Sequence, residues 1–173
     1  TNTFNGTVNL HSALHVKEKV LEPLFVAVTT ITTAVTLVKN TLNYNNHTAA
    51  ANIVYGLPSA ASSTKGDIVK VLYINTIANG QTHKYDTDGV SFGVVSPLVV
   101  PNHAATHGTV FLPVTLPNGS SNDVLTLTGA TNGGVGAGTE LTFVFNGTLW
   151  QVSGQVYSSG LGSAATSVAF GDT

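Results

Sequence analysis

The chain has 173 residues, 8% of them charged, and a net charge of −2. It contains no cysteine and no arginine, which removes disulfide scaffolds, thiolate metal sites, thiol catalysis and phosphate recognition by an arginine fork. An average soluble domain carries roughly 25% charged residues. Nucleic-acid binding needs a basic stripe that six lysines do not supply, so the surface is expected to be Thr, Ser, Asn and Gly.

From the N-terminus, residues 3–10 read as a first strand. Val16, Val20, Leu21 and Leu24 show apolar spacing near i, i+4. Pro23 limits this to at most one short helix near residues 16–22. The window 20–38 is the most apolar, but it contains Glu22, Pro23 and many threonines. A spanning helix needs about 20 predominantly apolar residues, so no membrane segment is expected. No signal peptide is read at the N-terminus, and the absence of methionine implies a removed initiator or a cut precursor.

Strands are then expected at 25–30, 33–38, 42–44, 52–55, 67–75, 82–86, 91–95, 109–112, 124–128, 141–145 and 148–152. Asn-Gly, Asp-Gly and Gly-Gly pairs punctuate them. Many short strands with regular turn signals point to an all-β fold, an antiparallel β-sandwich or jelly roll with extended N- and C-terminal arms. Residues 1–50 form the N-terminal arm and first strands, and 51–157 the sandwich core, as one unit or as two sub-regions joined near 96–108. Residues 158–173 form an extended tail. The segment VSPLVVPNHAATHG at 95–108 reads as a linker, or as a loop lying across a neighbour. Leu98, Val99 and Val100 are its candidate partner contacts.

The stretch LTFVFNGTLWQV at 141–152 reads as a hairpin turning at Asn146 and Gly147, because a two-residue type I′ loop needs positive φ at both positions. That register sets Phe145 opposite Thr148, Phe143 opposite Trp150, and Leu141 opposite Val152. Leu141, Phe143, Phe145, Trp150 and Val152 then share one dry face and are expected to form the hairpin core.

Candidate chemistry is sparse. His11/His15 and His103/His107 have the four-residue spacing of helical zinc ligands, but no carboxylate or cysteine nearby completes either set, so no metal site is expected. DTDG at 86–89 lacks the further ligands of a calcium loop and reads as a turn. GGVGAG at 133–138 has no P-loop lysine and reads as a flexible loop. No G-x-S-x-G elbow occurs. The expectation is a protein without catalytic residues or cofactor. Three of the four N-x-Ser/Thr strings (Asn5, Asn118 and Asn146, with Asn46 the fourth) are Asn-Gly turns. Glycosylation there would require a eukaryotic secretory route.

GTELTFVFNGTLWQVSG, at 138–154, resembles the closing hairpin of phage and virus virion modules. VTLPNGSSNDVLTLTG and IVYGLPSAASSTKGDIVKVLYIN upstream are similar to their strand, Leu-Pro, small-residue loop, strand units. The likeness spans roughly 52–154. It implies a β-sandwich of capsid decoration, cement or tail-fibre type, often trimeric. The chain is short for a fibre and shows no heptads or collagen-like repeat. The expected function is therefore that of a capsid decoration protein on the outer capsid surface. It would bind the major capsid protein or another virion subunit as a homotrimer, without nucleic acid or membrane. The alternative is a tail-fibre or receptor-binding module for a host surface glycan, with Tyr44, His47, Tyr85 and Trp150 as candidate aromatic and polar contacts.

Overall fold

Alternation of apolar and polar residues over short runs builds two layers of strands. A computed structural model describes residues 27–47, 51–94, 98–103, 109–113, 116–159 and 167–173. The expected strand at 3–10, the short helix near 16–22, His11, His15 and His107 lie outside these residues.

The described strands are β1 (Ala27–Ile31), β2 (Thr41–Asn45), β3 (Ile53–Gly56), β4 (Ile68–Tyr73), β5 (Thr82–Asp86), β6 (Leu98–His103), β7 (Thr109–Pro113), β8 (Val124–Thr128), β9 (Glu140–Phe145), β10 (Trp150–Gln155) and β11 (Val168–Gly171). A single turn of 3-10 helix, Ala60–Ser62, joins β3 to β4. The strands form a seven-stranded sheet, β1-β2-β4-β9-β10-β6-β7, and a four-stranded sheet, β11-β8-β5-β3. The fold is an all-β sandwich.

Pairing is mixed. β1/β2, β2/β4, β3/β5 and β6/β10 are parallel; the other pairs are antiparallel. Parallel neighbours need a crossover, and here the opposite sheet supplies it. The chain passes from β2 in the large sheet to β3 in the small one, back to β4, and on to β5. The β1–β2 connection makes the same excursion in miniature. Thr36 bridges Gly56 on β3, and the Leu37 N–H donates to the Gly56 carbonyl at 2.8 Å. Residues 33–38, expected as a strand, are therefore a crossover that touches the small sheet at one point.

Between the layers lie Val69, Val71, Leu141, Phe143, Phe145, Trp150 and Val152 from the large sheet, facing Tyr55, Tyr85, Leu125 and Leu127 from the small one. Phe92 closes one end, its ring 5.4 Å from that of Phe170. Further segments depart from the sequence expectation: within 91–94, expected as part of a strand, only Phe92 makes a bridge, to Trp150. Residues 98–103, read as linker or loop, form β6; Pro101 lies beyond the end of β10, where its side away from β7 has no strand partner among the described residues and a missing N–H is tolerated. Within the tail, Val168–Gly171 is β11, anchored by buried Val168 and by Phe170 packed on the core; two inward apolar side chains are too short a signal to read. The glycine-rich run at 133–138 is packed rather than flexible. Val135 is buried, and the Gly133, Gly136 and Gly138 N–H groups donate to the carbonyls of Ser159, Tyr157 and Tyr73.

Among the described residues, no helix is long and apolar enough to cross a membrane.

Candidate functional site

The most chemically distinctive part of the interior is polar. Thr41, Asn43 and Asn45 on β2 are all buried, while Leu42 and Tyr44 between them are half-exposed. Strand alternation thus aims the polar set inward. Asn43 Nδ2 donates to the Lys70 carbonyl at 3.0 Å. Asn45 Oδ1 accepts from the His47 N–H at 3.1 Å and from the Tyr55 hydroxyl at 3.5 Å. With Oδ1 fixed as acceptor, Asn45 Nδ2 is a donor with no hydrogen-bond partner among the described residues, and buried His47 Nδ1 has none among them either. An unpaired buried polar atom costs about 1–3 kcal/mol, so these two atoms mark a place where the core is not optimised for packing.

Three further strands complete the cluster. Tyr55 comes from β3, Tyr73 from β4, and His83 and Tyr85 from β5. The Tyr85 hydroxyl donates to the Tyr73 oxygen at 2.7 Å, and Tyr73 Oη lies 3.2 Å from His83 Nδ1. The His83 ring meets His47 edge-on at 5.3 Å and Tyr55 edge-on at 5.5 Å. Burial pushes the Tyr55 hydroxyl up to about 12, with the Asn45 hydrogen bond opposing. Burial raises Tyr73 and Tyr85 well above the ordinary phenol value. Burial, then the neighbouring His47, lowers His83 to about 4. At neutral pH Tyr55, Tyr73, Tyr85 and His83 are uncharged and enclosed between the sheets.

The hairpin expected at 141–152 is present in a different register. Trp150 pairs with Phe145, Val152 with Phe143, and Gly154 with Leu141. The loop holds four residues rather than two. The Asn146 N–H donates to the Leu149 carbonyl at 3.0 Å, and Asn146 Oδ1 accepts from the Thr148 and Leu149 N–H groups at 2.9 and 2.8 Å. Gly147 takes φ 104. The side-chain acceptor makes the wider loop the better-satisfied one. A two-residue register shift preserves facing, so Leu141, Phe143, Phe145, Trp150 and Val152 are all buried, while Thr148 leaves the dry face and is exposed. Trp150 Nε1 donates to the Pro58 carbonyl at 3.1 Å.

The other sequence candidates separate. Leu98 is buried in the core and is therefore not a surface contact; Val99 is half-buried. Trp150 and Tyr85 are fully buried, His47 is buried and Tyr44 half-exposed, so these four do not make one exposed platform. A groove of about 400 Å³ opens elsewhere, lined by Thr36, Pro58, Ser59, Ser62, Asp86 and Asp88 among others. Asp86 and Asp88 belong to the expected turn: Asp86 Oδ1 accepts the Asp88 N–H at 2.8 Å, and Asp88 and Gly89 have φ 60 and 76. No group of three metal-ligating side chains occurs among the described residues. Residue reasoning missed the inward polar set, although Thr41, Asn43, Asn45 and His47 recur at period two and so must share one face of an extended strand.

The backbone offers one further feature. β6 pairs with β10 only through Leu98 and Val99, opposite Gly154 and Gln155. From Val100 to His103 its strand partner among the described residues is β7. The two strands continue past β10 as a ribbon whose outer edges have no strand partner among the described residues. Comparison with family models, curated proteins and solved structures finds no match to this chain.

Proposed function

We propose that this chain is a structural virion protein, a capsid decoration or cement protein that stabilises a shell through protein–protein contacts. The observation that carries the reading is the β6–β7 ribbon. A two-stranded ribbon by itself is marginal in water, and the N–H and C=O groups that no described strand pairs are a template for strand addition. Its sequence between Val100 and Pro113 includes Val110, Phe111 and Leu112, and its only ionisable side chains are histidines. The ribbon adds its edge to the major capsid protein or to a neighbouring copy, with a homotrimer as the favoured assembly. The low charge of the chain lowers the desolvation cost of a large interface. The shell's outer surface is the proposed location.

Quantitative mass spectrometry of particles purified from material that carries this sequence tests the reading. Copy number in a simple lattice fraction of the main shell protein is the expected result. A handful of copies per particle moves the chain to the tail, and absence from every particle overturns the proposal. The groove beside Asp86 favours a second reading, a tail-fibre or receptor-binding module. Carboxylate and hydroxyl groups suit hydrogen bonding to a host glycan, which a glycan array would detect and which Asp86→Asn would abolish.

A further inference from the structure

The enclosed cluster has a property that neither reading of the surface requires. His83 is 2% exposed, lies at the centre of residues from four elements, and has no ionic partner among the described residues. The titratable groups that face it are His47 after β2, Tyr55 on β3, Tyr73 on β4 and Tyr85 beside it on β5. From β8 it meets Leu127, its register partner. Among the described residues no carboxylate faces it. Lys84, the adjacent residue, is exposed.

The hydrogen bonds run one way. The Tyr85 O–H donates to Tyr73, which leaves the Tyr73 O–H to donate to a neutral His83 Nδ1 at 3.2 Å. A protonated His83 is a donor at both nitrogens. Its Nδ1–H would then meet the Tyr73 proton, and Tyr73 would have to turn that proton back along the chain, against the hydrogen bond it accepts from Tyr85. Taking up the proton therefore reverses the run of hydroxyl donors. The new charge would also face the His47 ring 5.3 Å away.

We propose that His83, enclosed with His47, Asn45 and the three tyrosines, is an acid-sensitive latch, and that proton uptake there parts the two sheets at the β2–β5 end of the sandwich. Burial of a neutral imidazole without an anion to receive its charge is the physical basis. The direction follows from proton counting. An unfolded histidine binds its proton near 6.5, whereas the buried one, lowered to about 4, does not. Between those values the unfolded or opened chain holds the extra proton, so closure weakens as pH falls. Asp67, whose carboxylate is lowered from 3.8 by the Thr64 N–H and then by Lys39, loses its contribution only below that window.

The test uses the full chain and reads the unfolding equilibrium by denaturant titration at several pH values. From pH 7.5 to pH 5 the His83 contribution raises the unfolding constant about 30-fold. His83→Gln, which cannot take a proton, removes that part of the slope. Hydrogen exchange corrected for intrinsic rates places the acid-induced opening in β2–β5 rather than in β9–β10. If the variant does not fold, the NMR titration of the wild-type His83 ring decides. A ring that stays neutral to below pH 5 in the folded chain supports the latch. A ring that titrates near 6.5 with the fold intact overturns it, as does an unchanged slope in His83→Gln.

Discussion

Two residues in the large sheet show how local geometry constrains sequence. Gly154 sits on β10 at φ 147, and a Cβ there would overlap the Glu140 carbonyl oxygen on β9. Gly154→Ala must distort the β9–β10 pairing or the backbone itself, at a cost of about 2–4 kcal/mol. For a chain of this length that lowers the thermal midpoint by roughly 5–15 °C, to be measured by circular dichroism. A loss under ~2 °C would show that β10 relaxes freely at that point. Trp150 packs on Phe145 at 5.3 Å and donates to the Pro58 carbonyl. Trp150→Phe keeps an aromatic but removes the donor and part of the volume, so about 2–3 kcal/mol is expected in urea unfolding. Because Trp150 is fully buried, the native protein should emit at short wavelength and resist quenching by iodide or by sugars.

At the scale of elements, the hairpin loop is the clearest case of what pattern reading reaches and what it misses. Facing was legible, because parity survives a two-residue shift. Register was not, because it depends on Asn146 serving as a side-chain acceptor for two N–H groups, which competes with the two-residue turn that Asn-Gly also favours. Asn146→Ala is expected to cost about 1 kcal/mol and Asn146→Asp much less, since the carboxylate keeps the acceptor. Equal losses in the two variants, measured by thermal melting, would remove the side chain from the account of the loop. β5 and β8 match the expected spans, because each is a short run bounded by turn residues. β6 and β11 were not legible: one carries a proline and the other offers only two inward side chains. The site was less legible than the fold. His83 and Tyr85 are far in sequence from Asn45 and His47, and only the alternation of β2–β5 between sheets brings them together.

At the scale of the molecule, that alternation gives two ends with different physical character. The β2–β5 end is laced across the layers by polar and aromatic contacts from four strands. Among the described residues, the β6–β7 side is tied to the sheet by a two-residue parallel ladder and one further backbone bond, from the Val156 N–H to the Val99 carbonyl at 2.9 Å. Stability is unevenly distributed in such a fold, and a segment with few ties to the body can be removed at small cost. Val99 lies opposite Pro113 in the ribbon, so a short Gly/Ser turn can join them and replace residues 100–112 while keeping Leu98 in the core. The truncated chain should melt within about 2–4 °C of the parent, equivalent to ~1 kcal/mol, and keep its buried Trp150 emission. Under the virion reading it should also lose particle attachment and self-association, read by sedimentation and by multi-angle light scattering. A truncated chain that assembles like the parent would place the interface elsewhere, and one that fails to fold would make the ribbon part of the core.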